Sequence, residues 1–201
     1  MAIEREKILD AALTLLNEVG LDHFSTRRLA ERLGVQQPAL YWHFKSKQEI
    51  VNGMAARLLA RLRDAPLDGT DWRAWLGGMA KFYRHTLLGV RDGAEVLSNA
   101  NLSRSEQFAD FERGIVHLAS FGFSTRDAML GMTTVFDYAL GITYEHQTDS
   151  RVAEPEGQGS AVFESLRGMR REDAAEALFD GGLELILDGL ALRRVLPGAT
   201  S

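Results

Sequence analysis

The side chains best suited to specific chemistry lie in the segment 25–47, which reads STRRLAERLGVQQPALYWHFKSK. A glutamine amide can form two hydrogen bonds with one base edge, and a small alanine allows contact with a thymine methyl group. The N–H and O–H groups of Tyr, Trp and His can hold phosphates. An exposed Tyr-Trp pair on a short helix is unfavourable unless something covers it. The segment therefore predicts a surface that reads double-stranded DNA.

Charged residues are also distributed unevenly between segment 25–47 and the rest of the chain. Segment 25–47 holds five basic side chains and one carboxylate, whereas the whole chain of 201 residues has a net charge of −5. A small basic patch on an acidic body favours a protein that touches phosphates through one surface. It argues against a protein that coats nucleic acid through bulk charge.

Helical periodicity predicts the elements that must position these side chains. Apolar residues recur in one stripe from Ile8 to Val19, and Gly20 ends this first helix. Ser25 or Thr26 caps a second helix, which ends at Gly34 because a left-handed turn costs little at glycine.

Two more helices follow directly. Pro38 lies near the start of a third helix of about two turns, whose Leu40 and Phe44 face the core. Residues Ser46–Glu49 form a capping box, and the fourth helix runs from there to Leu62.

A stretch rich in Asp, Pro and Gly, residues 64–69, separates these helices from a larger C-terminal body. The body is predicted to form helices over 71–89, 93–100, 104–120, 125–149 and 171–195, with a short turn near 161–167 and a loop over 151–160. The break at Arg91–Gly93 is the candidate for a moving joint. No strand pattern stands out in the sequence, so the fold class is all-α.

The sequence LNEVGLDHFSTRRLAERLGVQQPALYWHFKSK resembles the DNA-binding domain of the tetracycline-repressor family. Weaker similarity continues through Arg91–Ala94, Gly122–Ser124 and Gly182–Ile186. The resemblance implies an N-terminal three-helix helix-turn-helix domain over 1–46, a linking helix over 47–66, and a helical ligand-binding and dimerisation domain over 67–201.

The family resemblance also implies a function. It predicts a ligand-responsive transcriptional repressor that binds a palindromic DNA operator as a homodimer and is released by a small-molecule effector. The residues that the resemblance and the side-chain chemistry assign to DNA are Thr26, Arg27, Gln36, Gln37, Pro38, Ala39, Tyr41, Trp42, His43 and Lys47.

Methionine and aromatic side chains cluster in the body. Taken singly, such residues more often form plain core, although together they can line an adaptable apolar cavity. Because the family resemblance implies such a cavity, we assign the cluster and nearby polar groups to ligand binding. These residues are Trp75, Met79, Phe82, Tyr83, Leu97, Asn101, Phe108, Phe111, Met129, Met132, Phe136, Glu145 and His146.

The resemblance further separates this chain from the tetracycline repressors at the drug site. Those proteins hold a magnesium–drug chelate through a histidine that aligns with Leu97 here, while an asparagine and a phenylalanine that touch the drug align near Met79 and Tyr83. Glu145 persists, with His146 beside it, but Mg²⁺ requires oxygen ligands in octahedral geometry. The sequence therefore predicts no metal, no cofactor, and a largely apolar effector.

The last helix carries an apolar surface too wide for the outer helix of a monomer. Gly181, Gly182 and Gly189 would let another helix approach closely. Pairing with the 125–149 helix and their symmetry mates would form a four-helix bundle between two subunits. The alternative is full burial of this surface within one chain.

Two other classes of function compete with a DNA reader: an enzyme and a protein-binding adaptor. An enzyme would have to use His85, His117, Glu145 and His146, which show no known metal-ligand or nucleophile spacing. A helical adaptor that binds protein remains open, and the salt dependence of binding separates it from a DNA reader. The chain has no Cys and no run of about 18 apolar residues, which predicts a cytoplasmic protein without disulfides or a membrane span.

Overall fold

The structure is a computed structural model that describes residues 4–67, 69–101, 104–149, 160–162, 165, 168 and 172–194. All regular elements in these ranges are helical, which confirms the all-α fold class. They are α1 (Arg5–Val19), α2 (Thr26–Leu33), α3 (Gln37–Tyr41), α4 (Lys47–Ala60), a 3₁₀ turn (Arg61–Asp64), α5 (Trp72–Leu88), α6 (Gly93–Ser98), α7 (Arg104–Ala119), α8 (Thr125–Asp149) and α9 (Glu172–Ala191). The predicted loop over 151–160 and turn near 161–167 lie largely outside the described residues.

The helix ends form as the capping residues predict. The Ser25 hydroxyl accepts a hydrogen bond from the backbone N–H of Arg28 at 3.3 Å, and Gly34 ends α2 in the left-handed region at φ 65°. The Ser46 hydroxyl accepts from the N–H of Glu49 at 3.2 Å, which begins α4.

Several helices are shorter than predicted, and α3 and α4 are the two that matter for the head. Helix α3 has five residues rather than about two turns, because the N–H groups of His43 and Phe44 both bond to the Leu40 carbonyl and close the chain into a turn. Helix α4 ends at Ala60 and tightens into the 3₁₀ turn before the Ala65-Pro66 step. A residue that precedes proline is disfavoured in the α region, and Ala65 is accordingly extended at ψ 124°.

The chain packs as two compact units. We call Met1–Ala65 with Phe82–Gln107 the head unit, and Pro66–Lys81 with Phe108–Ser201 the body unit. Helix α5 contributes residues to both. The head unit therefore includes α6 and the end of α5 besides α1 to α4, and the three-segment division predicted from the sequence stays a prediction.

In the head unit, α1 and α4 lie close together. A Cβ atom added at Gly53 of α4 would come within 2.6 Å of the Leu9 side chain in α1. Arg57 of α4 also pairs with Glu6 and Asp10 of α1, both at 2.7 Å. The long fourth helix is thus fixed to the first by packing and by charge.

In the body unit, α9 is fastened to α5 and α8. Arg73 of α5 pairs with both Glu184 and Asp188 of α9. The Tyr138 hydroxyl of α8 donates to the carbonyl of Leu178 at 3.0 Å. A Cβ at Gly182 would collide with that hydroxyl, so the absence of a side chain at Gly182 makes room for α8 within the chain.

Gly93, the first residue of α6, lies against backbone. A Cβ there would collide with the Leu87 carbonyl oxygen. Gly93→Ala is expected to destabilise the protein by about 1–3 kcal/mol, because backbone cannot move aside as a side chain can. In the control variant Gly89→Ala the new Cβ would lie at an ordinary contact distance, 3.4 Å from the His85 carbonyl oxygen, and a change of about 0.5 kcal/mol or less is expected. Urea unfolding checks both values, and equal stability of the two variants would contradict the predicted clash.

Candidate DNA-reading surface

Helix α3 divides its side chains between core and solvent. Leu40 and Phe44 are each 1% exposed and fix the helix on the head unit. Trp42 is 89% exposed and Tyr41 is 47% exposed. Two large aromatic rings therefore stand uncovered within the head unit on a helix that is anchored from beneath.

The other residues assigned to DNA surround these rings. Those that the structure leaves exposed are Arg27, Gln36, Pro38, Tyr41, Trp42 and Lys47, and those that it half-buries are Thr26, Gln37, Ala39 and His43. We call these ten residues the reading surface. They come from the start of α2, from α3 with its flanks, and from the start of α4.

A hydrogen bond links two helices of the reading surface. The Gln37 side-chain nitrogen lies 2.9 Å from the Thr26 hydroxyl and 3.4 Å from the Tyr41 hydroxyl. Thr26 is the first residue of α2 and Gln37 the first residue of α3. The Gln37 amide is therefore held by Thr26 on one side before any DNA binds.

Carboxylates balance part of the basic patch, a feature that the sequence analysis did not identify. Arg27 pairs with Glu31 one turn along α2 at 2.9 Å. Arg32 pairs with Glu18 of α1 through both of its terminal nitrogens, at 2.5 and 2.8 Å. This hydrogen bond lowers the pKa of the Glu18 carboxyl. Arg27 must exchange its carboxylate for a phosphate if it contacts DNA.

Lys47 lies at the start of α4, directly after the Ser46 cap. Its ammonium nitrogen is 5.8 Å from the centre of the Phe24 ring, close enough for a cation–π contact. The side chain is exposed, so its charge is held near the surface at a helix N-terminus, where an anion is favoured.

The loop between α5 and α6 is tied to the end of α1. The buried backbone N–H of Leu21 donates to the Asp92 carboxylate at 2.7 Å. The backbone N–H of Arg91 donates to the Asn17 side chain at 2.8 Å, and the Arg91 guanidinium donates to the Glu18 carbonyl at 3.0 Å. We call these contacts the α1 tie.

The other end of α6 is tied to α4 by two amide side chains. Gln48 donates to the Asn99 carbonyl at 2.8 Å, and Asn52 accepts from the Asn101 N–H at 2.9 Å. Gln48 also donates to Asn52 at 3.0 Å. Sequence reasoning did not single out either residue, because polar amides on a helix carry no periodic signal.

The residues assigned to ligand binding fall in both units. Phe82, Tyr83, Leu97 and Asn101 belong to the head unit, and the others belong to the body unit. Within the body unit, Trp75 and Met132 meet at Gly114 of α7, where an added Cβ would lie 3.4 Å from Trp75 and 3.3 Å from the Met132 sulfur.

The burial of the ligand-assigned residues varies widely. The buried ones are Tyr83 and Met132, the half-buried ones are Trp75, Met79, Phe82, Leu97, Phe111, Phe136 and His146, and the exposed ones are Asn101, Met129 and Glu145. The side chain of Phe108 lies outside the described residues. The ligand assignment remains a prediction.

Sequence reasoning also left out an aromatic cluster in the body unit. The ring of His117 in α7 packs edge-on against Trp75 at 4.6 Å and Phe121 at 5.1 Å between centroids. A histidine at helical spacing gives no sign of such stacking until its neighbours are known.

The helices in the described part of the chain include none with the length and apolar character of a membrane span.

A short, uncovered helix that follows a glycine turn and is anchored on two others defines a helix-turn-helix DNA-binding protein. Residues 8–54 match the family model for bacterial regulatory proteins of the tetR family, and residues 65–194 match the model for the tetracyclin repressor-like C-terminal domain. The chain belongs to the tetracycline-repressor family of bacterial regulators.

Individual relatives agree over nearly the full length. The class C tetracycline repressor protein of Escherichia coli is 35% identical over 96% of this chain and 93% of its own length. A TetR variant from Acinetobacter baumannii AYE, solved in complex with minocycline, has a TM-score of 0.80 and 34% identity, covering 96% of this chain and 99% of that one. BioQ, solved with its natural double-stranded DNA operator, has a TM-score of 0.67 and 27% identity, covering 94% and 99%.

Proposed function

We propose that this chain is a cytoplasmic transcriptional repressor that binds a palindromic operator as a homodimer and is released by a small-molecule effector. The observation that carries the proposal is the uncovered Tyr41-Trp42 pair above the buried Leu40 and Phe44. A similar protein solved with its operator and another solved with minocycline support the two halves of the proposal. The related proteins are regulators, and we infer no enzymatic role.

Each part of the reading surface has a chemical task in this proposal. Gln37 contacts a base edge in the major groove, and Pro38 and Ala39 permit close approach to thymine methyl groups. The tyrosine, tryptophan and histidine groups and Lys47 bind phosphates, which fix the orientation of the head on the duplex. Two heads spaced about one helical turn apart, roughly 34–36 Å, contact the two half-sites.

The effector acts through α6 in this proposal. The α1 tie holds one end of α6 to the head helices, and the two amide side chains of α4 hold the other end. A ligand that displaces α6 therefore moves α1 and α4 with it, and the two heads lose the half-site spacing. The coupling free energy expected for such a switch is about 1–3 kcal/mol.

Footprinting on the DNA that flanks the coding region, with the purified protein, tests the proposal. A protected palindrome whose affinity falls steeply with salt is expected. Two cations from each head, Arg27 and Lys47, predict a slope of log affinity against log salt of roughly −3.6. A protein-binding adaptor would show no protected site and little salt dependence, and that result would reject the proposal.

The effector is proposed to differ from a magnesium–tetracycline chelate. The residue that aligns with the metal-binding histidine is Leu97, whose side chain offers no donor atom. Glu145 supplies one exposed carboxylate, and the neighbouring His146 supplies an imidazole. The donor set named from the resemblance therefore does not fit Mg²⁺, which requires several oxygen ligands.

Calorimetric titration with tetracycline is expected to give no binding heat that depends on magnesium. Because Leu97→His restores an imidazole at the aligned position, it is the matched variant, and any gain of magnesium-dependent heat should appear there first. Tight uptake of tetracycline by the unaltered protein with magnesium, lost on chelation, would contradict the prediction.

The homodimer is proposed to form through α8 and α9. Leu185 on α9 is 75% exposed, Leu192 directly after the end of α9 is 89% exposed, and Met129 on α8 is also exposed. Added Cβ atoms at Gly181 and Gly189 meet nothing within 4 Å inside one chain. Small residues beside exposed leucines leave room for a second subunit to pack closely.

Leu185→Glu is expected to convert the dimer into a monomer, because a carboxylate would be buried at the interface. Val116→Glu, at an exposed position on α7, is the control and should remain dimeric. Light scattering after gel filtration measures both masses. A Leu185→Glu protein that keeps the dimer mass would place the interface elsewhere.

A further inference from the structure

We infer that Thr26 is a positioning residue that gives Gln37 its base preference, so that the head accepts adenine and rejects guanine at one operator position. The inference rests on the DNA-binding function proposed above. It assigns to Thr26 a role within the protein, in place of the phosphate or guanine contact that its position at the start of α2 suggests.

The geometry shows which acceptors lie near the two N–H groups of the Gln37 amide. The amide nitrogen donates one hydrogen to the Thr26 hydroxyl across a distance of 2.9 Å. The Tyr41 hydroxyl lies 3.4 Å from the same nitrogen, beyond the usual 2.7–3.2 Å of a strong N–H···O bond. The second N–H is therefore bonded only weakly to Tyr41, and it is available to donate a hydrogen bond to a DNA base.

The bond is well placed to persist when DNA binds. Thr26 and Gln37 are both half-buried, whereas Tyr41 and Trp42 stand further into solvent. Thr26 is fixed at the start of α2 by the neighbouring Ser25 cap. A base that approaches Gln37 from outside meets the free face of the amide, while the face bonded to Thr26 stays toward the protein.

The free face carries one acceptor and one donor. Adenine presents an N6 donor and an N7 acceptor in the major groove, and this pair matches a carbonyl oxygen and one N–H. Guanine presents two acceptors, O6 and N7. An amide needs both of its hydrogens to bind guanine in the same way, so guanine would require the bond to Thr26 to break.

Removal of the Thr26 hydroxyl should therefore relax discrimination without abolishing binding. Thr26→Val keeps the shape of the side chain and removes the acceptor, so the amide can turn and offer both hydrogens. Thr26→Ser keeps the acceptor and is the conservative rescue. Thr14→Val is the matched control, because Thr14 lies exposed in α1 of the same unit and its hydroxyl bonds within its own helix, to the Asp10 carbonyl.

The experiment begins with selection of operators by the unaltered protein from randomised half-sites. Gln37→Ala then identifies the base that Gln37 reads, as the position where the selected preference disappears. Fluorescence anisotropy measures the affinity for operators with adenine or guanine at that position. We expect the unaltered protein, Thr26→Ser and Thr14→Val to prefer adenine by about tenfold or more, and Thr26→Val to lose most of that ratio.

Two results would overturn the inference. One is a Thr26→Val protein that weakens binding to both operators by the same factor, because that pattern is the one expected of a phosphate contact. The other is an unaltered protein that selects guanine at the Gln37 position. Failure of the unaltered protein to select any operator would instead reject the proposed function. Circular dichroism melting of each variant separates these outcomes from loss of folding.

Discussion

Replacement of Tyr41 and Trp42 together by alanine is expected to lower operator affinity about a hundredfold and to leave the melting temperature nearly unchanged. The two rings are 47% and 89% exposed, so they contribute little to folding. Surface substitutions of this kind change stability by about 0.5 kcal/mol or less. On DNA the same rings become covered, and each covered aromatic side chain contributes about 1.5 kcal/mol or more, which together reaches a factor of about one hundred.

For Leu40, which is buried beneath the two rings, a large loss of stability is expected instead. Leu40→Ala removes a side chain that is 1% exposed, and should destabilise the head by about 2–5 kcal/mol. Val116→Ala, on the exposed face of α7, should change neither the operator affinity nor the melting temperature. Anisotropy titration and thermal melting on the same samples measure both effects. A double variant that melts several degrees lower would mean that the protein itself covers the aromatic pair.

Much of the head could be predicted from the sequence because its information is local. Glycine and serine fix the helix ends, and the alternation of Leu40 and Phe44 with Tyr41 and Trp42 fixes which face is buried. These features depend on residues within a few positions of each other. The identity of the uncovered residues then indicated the function.

The contacts that tie the elements together could not be predicted in the same way. The bond between Leu21 and Asp92 spans 71 positions, and the pair of Glu18 with Arg32 spans 14. No periodicity selects such partners. Gly182 shows the same limit, because the sequence alone does not reveal that Tyr138 of the same chain is its close neighbour.

The ligand-assigned set illustrates a second limit. Methionine and aromatic residues at helical spacing have the same pattern in a core and in a cavity. Met132 is buried, whereas Met129, three residues earlier on α8, is exposed. Side-chain type alone does not separate these roles, since both depend on what the neighbouring helices leave open.

In the proposed switch, the α1 tie transmits a change at α6 to α1. Asp92 adopts φ 59°, the left-handed region that aspartate tolerates better than most residues. That conformation aims its carboxylate at the Leu21 N–H. Asp92→Ala is expected to destabilise the protein by about 3 kcal/mol, because it leaves a buried N–H without its acceptor and places alanine in a strained conformation.

Two further variants separate the contributions to that loss. Asp92→Gly removes the acceptor but relieves the backbone strain, so it should recover about 1 kcal/mol relative to alanine. Asp92→Asn keeps both an acceptor oxygen and the tolerance of left-handed backbone, and should stay closest to the unaltered protein. Thermal melting should place alanine about 6–12 °C below the unaltered protein. If alanine and asparagine melt together, the hydrogen bond to Leu21 contributes nothing to stability and the α1 tie rests on the two Arg91 contacts.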